Sequence, residues 1–444
     1  MKTRKILLSL ISYVLLISCS NESVDLMYEA TKQDFADNPY LITLNQAQEE
    51  LNGIIGQLRN SSSRATDTME RKVSYSYSLK IPYENTKLQK SDSLLTYVIN
   101  FEDNKGFAVM SGDNRIPSLI AYVTEGNLAP IDTIKEPSLA SFLTALPPYI
   151  GDIISTEKFK WSIDFSTPSI IGSGYYEYGE WDNKKYPDSP LCPVQWGQLN
   201  PYNKFCPTID GKKAPTGCVA TAVAQLMAVY KYPSSYNGES FHWDKMTKFP
   251  KGSQCSELAQ FDIARLMYQL GLPTNLNMNY GIEESGARIE SIPRTLNSFG
   301  YRSSGIIKKY NTENVIDEIL SYYPVIVSGY CKKKEIKFLG WTIYTNLSEG
   351  HAWLIHGMLK RFREIKWFSD DGYFISSRIE NQWYTLCNWG WGGLSDGYFL
   401  SGVFDTAAAL SDYLINSEND EDETRSGTSS YYQYNLKTIS GIRK

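Results

Sequence analysis

Between Gly217 and Pro233 the chain reads "CVATAVAQLMAVYKY", a nearly unbroken small and apolar run from Val219 to Val229. Its length and the closing Pro233 predict a helix, and a helix apolar on every side has no face to give to water, so it must be buried. A cysteine stands at its mouth. Cys218 is either one more small buried side chain or a nucleophile placed where a helix N-terminus favours a thiolate.

Length and composition narrow the choice. A chain of 444 residues exceeds one ordinary core and fits two or three domains. A formal charge of -5 gives no basic footprint for nucleic acid. Histidine occurs three times, so any imidazole chemistry must use His242, His351 or His356. The six cysteines beyond Cys19 lie far apart with no CxxC among them, which permits disulfides but gives no zinc spacing. No metal or organic cofactor is called for.

The start of the chain has the layout of an export signal: Lys2, Arg4 and Lys5, an apolar run from Ile6 to Ile17, then small residues. "LISC" at 16–19 resembles a bacterial lipoprotein box, which makes residues 1–18 a signal and Cys19 a lipid-carrying first residue. No later stretch is apolar and long enough to cross a bilayer, so any membrane attachment rests on that lipid, at the cell envelope or outer surface.

Beyond the signal, "NQAQEELNGIIGQLR" at 45–59 puts Leu51, Ile54, Ile55 and Leu58 on one helical face. From Leu94 to Val123 the pattern is strand and turn, with turns at 102–106 and 111–117. Ser138 then caps a helix carrying Leu139, Phe142, Leu143 and Leu146, ended by Pro147 and Pro148. Residues 160–188 lack periodicity and read as a linker. A second domain follows, with a further helix at 256–270 and strands at 324–330, 351–359, 384–393 and 397–402. The charged stretch "NSENDEDETRSGTSS" reads as a solvated loop before a last strand.

For Cys218 to act, an imidazole must meet it. His351 and His356 share one predicted strand, five residues apart, so a regular strand turns them to opposite faces. His242 lies in a polar, turn-rich context and reads as structural. His351 follows Cys218 by about 130 residues and Asn388 comes later, the order found in papain-like enzymes. "WGQLNPYN" at 196–203, the cysteine block, "NYGIEESGA" at 279–287, "GHAWLIHG" at 350–357 and "CNWGWGGLSDGYF" at 387–399 together resemble the streptopain family of bacterial papain-like cysteine peptidases. "YVINFEDNKGFAVMSGDNRIPSLIAYV" resembles that family's pro-domain.

The resemblance implies an α+β protein: a pro-domain over 19–170, then a papain-like catalytic domain over 171–444 whose nucleophile helix packs on an antiparallel sheet. It implies Cys218 as nucleophile, His351 as base and acid, Asn388 orienting the imidazole, Trp389 shielding that contact, and Gln198 at the oxyanion. Ser285, Gly286 and Ala287 would line the pocket for an apolar substrate side chain. The partners implied are protein or peptide substrates and the pro-domain itself as inhibitor. His356 stands where that family often has an acidic residue, and "CKKKEIKFLGWTIYTNLSE" before His351 is read as a rim loop. Two alternatives stay open: a silent surface lipoprotein using the domain for binding, and a thiol acyl-transferase or amidase on the same fold.

Overall fold

The computed structural model describes residues 25–26, 40–60, 71–85, 90–128, 142, 146, 149–150, 174–338, 341–404 and 434–444. The signal, Cys19, the acidic stretch and most of the segment capped by Ser138 lie outside them. Phe142 and Leu146 of that segment are buried.

The N-terminal part holds α1 (Leu44–Asn60) and strands β1 (Val73–Asn85), β2 (Lys90–Phe101), β3 (Phe107–Ser111) and β4 (Leu119–Val123). Leu51, Ile54, Ile55 and Leu58 are all buried, as their shared face requires. Strands β3 and β4 are buried at every position, because both their faces are covered.

Two strands, β5 (Gly174–Tyr178) and β6 (Asp182–Tyr186), occupy the segment expected to be a linker. Their side chains are largely exposed, so they carry no apolar alternation, and antiparallel pairing of backbone with a later strand holds them.

The C-terminal part contributes helices α2 (Cys218–Tyr230), α3 (Glu257–Gly271) and α4 (Ile292–Ser298), strand β7 (Ser303–Lys309) and helix α5 (Thr312–Leu320). Strands β8 (Val325–Phe338), β9 (Trp341–Ser369), β10 (Phe374–Asn388), β11 (Gly397–Leu400) and β12 (Tyr434–Arg443) complete it. The presumed rim loop before His351 is a β8–β9 hairpin, with Lys332 opposite Ser348 and Glu335 opposite Thr345.

All these strands join one sheet in the order β1-β2-β3-β4-β11-β10-β9-β8-β12-β7, with β5 and β6 added on β9. The N-terminal and C-terminal parts meet where β4 pairs antiparallel with β11, Tyr122 opposite Tyr398 and Val123 opposite Gly397. A Cβ on Gly397 would come 2.3 Å from the Tyr122 carbonyl oxygen, so the seam closes only over a glycine.

Alternation along the central strands sorts their side chains into two cores. Val325, Val327, Trp353 and Ile355 face the core shared with α1 and the N-terminal strands. Ile326, Ala352 and Leu354 face the core built on α2, α3 and α4.

Candidate active site

Helix α2 begins at Cys218 without a side-chain cap, because Gly217 holds the N-cap position at φ +85°. A Cβ there would lie 2.7 Å from the Ser285 carbonyl oxygen, so only glycine lets the segment at 285–287 approach the helix mouth. Ser285 is buried, Gly286 is exposed and exchanges two backbone hydrogen bonds with Asn279, and Ala287 packs half-buried on the second core.

Cys218 is partly buried. Burial pushes its thiol pKa up, while the N–H groups of Ala352, Val219 and Cys218 draw it down; the charge of Glu284 adds to the upward push. Ala352 directly follows His351, so the thiol lies against the peptide that carries the imidazole.

His351 donates its Nε2 proton to the backbone carbonyl of Trp389 at 3.0 Å. A carbonyl only accepts, so this bond fixes the neutral tautomer and leaves Nδ1 as the basic nitrogen. The ring lies parallel to Trp391, centroids 5.8 Å apart, and to Trp353 at 6.2 Å, with Trp389 also at 6.2 Å. Burial lowers its pKa to about 4, outweighing the Trp389 carbonyl, which raises it. Burial thus disfavours both charged forms, the thiolate and the imidazolium, while the helix-mouth N–H groups favour the thiolate.

The hydrogen bonds of Asn388 go to backbone and not to the imidazole. Its Nδ2 donates to the Val194 carbonyl at 2.8 Å, and its Oδ1 accepts from Gly390 N–H at 3.2 Å. The Trp389–Gly390 peptide is thus held by Asn388 at its nitrogen and meets His351 at its oxygen. Trp389 is buried and stands 5.0 Å from Trp353.

Gln198 is buried, and its backbone carbonyl accepts from Thr216 N–H at 2.9 Å, two residues before Cys218. Its Nε2 has no hydrogen-bond partner, a buried donor left open beside the helix mouth.

His356 lies elsewhere. Its Nδ1 accepts from Cys192 N–H at 3.4 Å, its carbonyl accepts from Leu191 N–H, and burial lowers its pKa to about 3. His242 Nδ1 pairs with Asp262 at 2.7 Å. Neither approaches Cys218 in these contacts.

Trp353 and Asp396 are not singled out by the sequence, and Trp391 reads there only as a core aromatic beside a Gly-rich bend. Trp391 and Asp396 fall in the same "CNWGWGGLSDG" block as Asn388, which was the available signal. Asp396 is buried and accepts from Trp389 N–H at 2.9 Å.

Comparisons with known proteins show what this chain is similar to. The model of the Peptidase C10 family matches residues 196–399, and that of the Spi protease inhibitor matches residues 40–150. Streptopain from Streptococcus pyogenes serotype M1 is 27% identical over 355 residues, covering 70% of this chain and 75% of that protein. The thiol protease/hemagglutinin PrtT of Porphyromonas gingivalis is 25% identical over 359 residues, covering 75% of this chain and 37% of that protein. Among solved structures, a prointerpain A fragment from Prevotella intermedia aligns with a TM-score of 0.48 at 20% identity, over 83% of this chain and 99% of the fragment.

Proposed function

Because the chain belongs to the streptopain family of cysteine peptidases and carries an inhibitor-like segment ahead of its catalytic blocks, we propose that it is the zymogen of an exported endopeptidase. In this reading Cys218 is the nucleophile and His351 the base. The observation that carries it is the approach of the Cys218 thiol to the His351–Ala352 peptide while Trp389 holds Nε2 and leaves Nδ1 free.

With a peptide in place, Nδ1 takes the thiol proton as sulfur attacks the scissile carbonyl carbon. The oxyanion is met by Cys218 N–H and Gln198 Nε2, a donor pair of which each member is worth about 3 kcal/mol of barrier. Collapse breaks the C–N bond, and the imidazolium returns its proton to the departing amine. Water, deprotonated by Nδ1, then attacks the thioester and restores the thiol.

Trp389 orients the imidazole with its carbonyl, and Asn388 acts one step behind by fixing that peptide. Ser285, Gly286 and Ala287 border the helix mouth and form the pocket for an apolar side chain. Residues 1–18 serve as the signal, Cys19 as lipid anchor, and the part up to about residue 170 as the removable inhibitor. Because the anchor precedes the cut, maturation detaches the catalytic part from the lipid unless the two parts stay bound.

The test is an intact-mass time course of the full chain beside Cys218→Ala. Wild type should cut itself near residue 170 and hydrolyse added peptides, with iodoacetamide blocking both. Cys218→Ala should stay uncut and inert. Cleavage by the folded Cys218→Ala chain, or peptide transfer without hydrolysis by wild type, would refute the reading.

A further inference from the structure

The bond from His351 to a backbone carbonyl puts the burden of orientation on whatever holds the loop at 388–396. Asn388 holds one peptide of it. The other anchor is Asp396, whose Oδ1 accepts from Trp389 N–H at 2.9 Å, while its own N–H donates to Gly393 O at 3.2 Å. A carboxyl group therefore sits one residue's backbone away from the carbonyl that meets the imidazole. We propose that Asp396 is a positioning residue for His351, acting through the Trp389 backbone by fixing the carbonyl and by opposing the charge of the imidazolium; the inference rests on His351 being the catalytic base.

A merely structural reason for a buried aspartate does not account for its surroundings. An asparagine or serine could cap one N–H without the cost of burying a carboxyl group. The groups facing Asp396 are Glu125, in the turn after β4, and Lys251, in the loop before α3, which pair with each other, together with the thiols of Cys192 and Cys387. Burial, reinforced by Glu125, raises the Asp396 pKa to about 7, against the pull of Trp389 N–H and Lys251. Its charge therefore changes near neutral pH, and above that a negative Asp396 favours the imidazolium that forms during turnover.

The chain's three histidines make the test direct in the full-length protein. Ring-labelled histidine is followed by nuclear magnetic resonance across pH in wild type, Asp396→Asn and Asp396→Ala, and kcat and KM are measured after maturation. Asp396→Asn keeps an acceptor without the charge, so the Nε2–H signal of His351 should persist while kcat falls about threefold above pH 7, where Asp396 is ionised in wild type, and stays near wild type below pH 6. Asp396→Ala removes the acceptor as well, so that signal should broaden or shift and kcat should fall about tenfold or more at unchanged KM. Should Asp396→Ala fail to fold, the kcat–pH profile of Asp396→Asn decides alone. A kcat–pH profile in Asp396→Asn equal to that of wild type, or a folded Asp396→Ala with wild-type kcat and His351 signals, would overturn the proposal. Loss of peptidase activity in wild type would instead count against the underlying function.

Discussion

The Trp389 carbonyl receives His351 Nε2–H at 3.0 Å, and the Asn388 amide oxygen accepts from Gly390 N–H at the other end of the same peptide. An orienting group that is backbone cannot be deleted by a side-chain substitution, only loosened.

Asn388→Ala should therefore slow the enzyme without silencing it. We expect kcat to drop by about one to two orders of magnitude at constant KM, since substrate contacts are untouched. Steady-state kinetics on the matured protein checks this; a loss as deep as that of Cys218→Ala would mean that Asn388 contacts the imidazole directly.

The two strand histidines should separate cleanly. His351→Ala should lower kcat by about a thousandfold or more, because both base and acid are removed. His356→Ala should leave activity within about tenfold but cost about 1–3 kcal/mol, since Cys192 N–H loses its buried acceptor. Urea titration and kinetics on the same samples distinguish them, and a folded His356→Ala as inactive as His351→Ala would contradict the assignment.

Stability should rise with pH between about 4 and 6.5. In that window His351 and His356 bind protons in the unfolded chain but not in the fold, where their pKa values are about 4 and 3. Asp396 works the other way, protonated in the fold up to about 7 and ionised when unfolded. The net gain on unfolding is one proton, which gives about 1.4 kcal/mol of added stability per pH unit. His356→Gln should flatten the curve, as one histidine and Asp396 then cancel. Denaturation midpoints across the range test it; a slope in the variant equal to that of wild type would exclude His356 as a source.

Latency should depend on the strand seam. Gly397→Ala places a methyl group against the Tyr122 carbonyl, so β4 cannot keep its register on β11. The uncut variant should hydrolyse a fluorogenic peptide at least about tenfold faster than the uncut wild type, with matured activities alike. Equal latency in the two precursors would show that the seam is not what restrains the enzyme.

The parts of this molecule legible in the sequence are those with a buried face. The apolar run of α2, the stripe of Leu51, Ile54, Ile55 and Leu58, and the all-buried β3 and β4 each leave a periodic or continuous apolar signature. Strands β5 and β6 and the outer β8–β9 hairpin leave none, because their pairing is through backbone. At the site, Cys218, His351 and the loop after β10 were legible as residue types in order. The role of the Trp389 carbonyl was not, since every residue has a carbonyl and only the fold decides which one points at the imidazole.

The seam between β4 and β11 also separates two events that a single cut would otherwise merge. Hydrolysing a peptide bond near residue 170 leaves every β4–β11 hydrogen bond in place, so the N-terminal part departs only by unzipping a strand and wetting apolar surface it had shared. What it leaves on the enzyme is an open sheet edge beside the loop that steadies His351, a surface on which any extended chain can lay itself, including the one just shed.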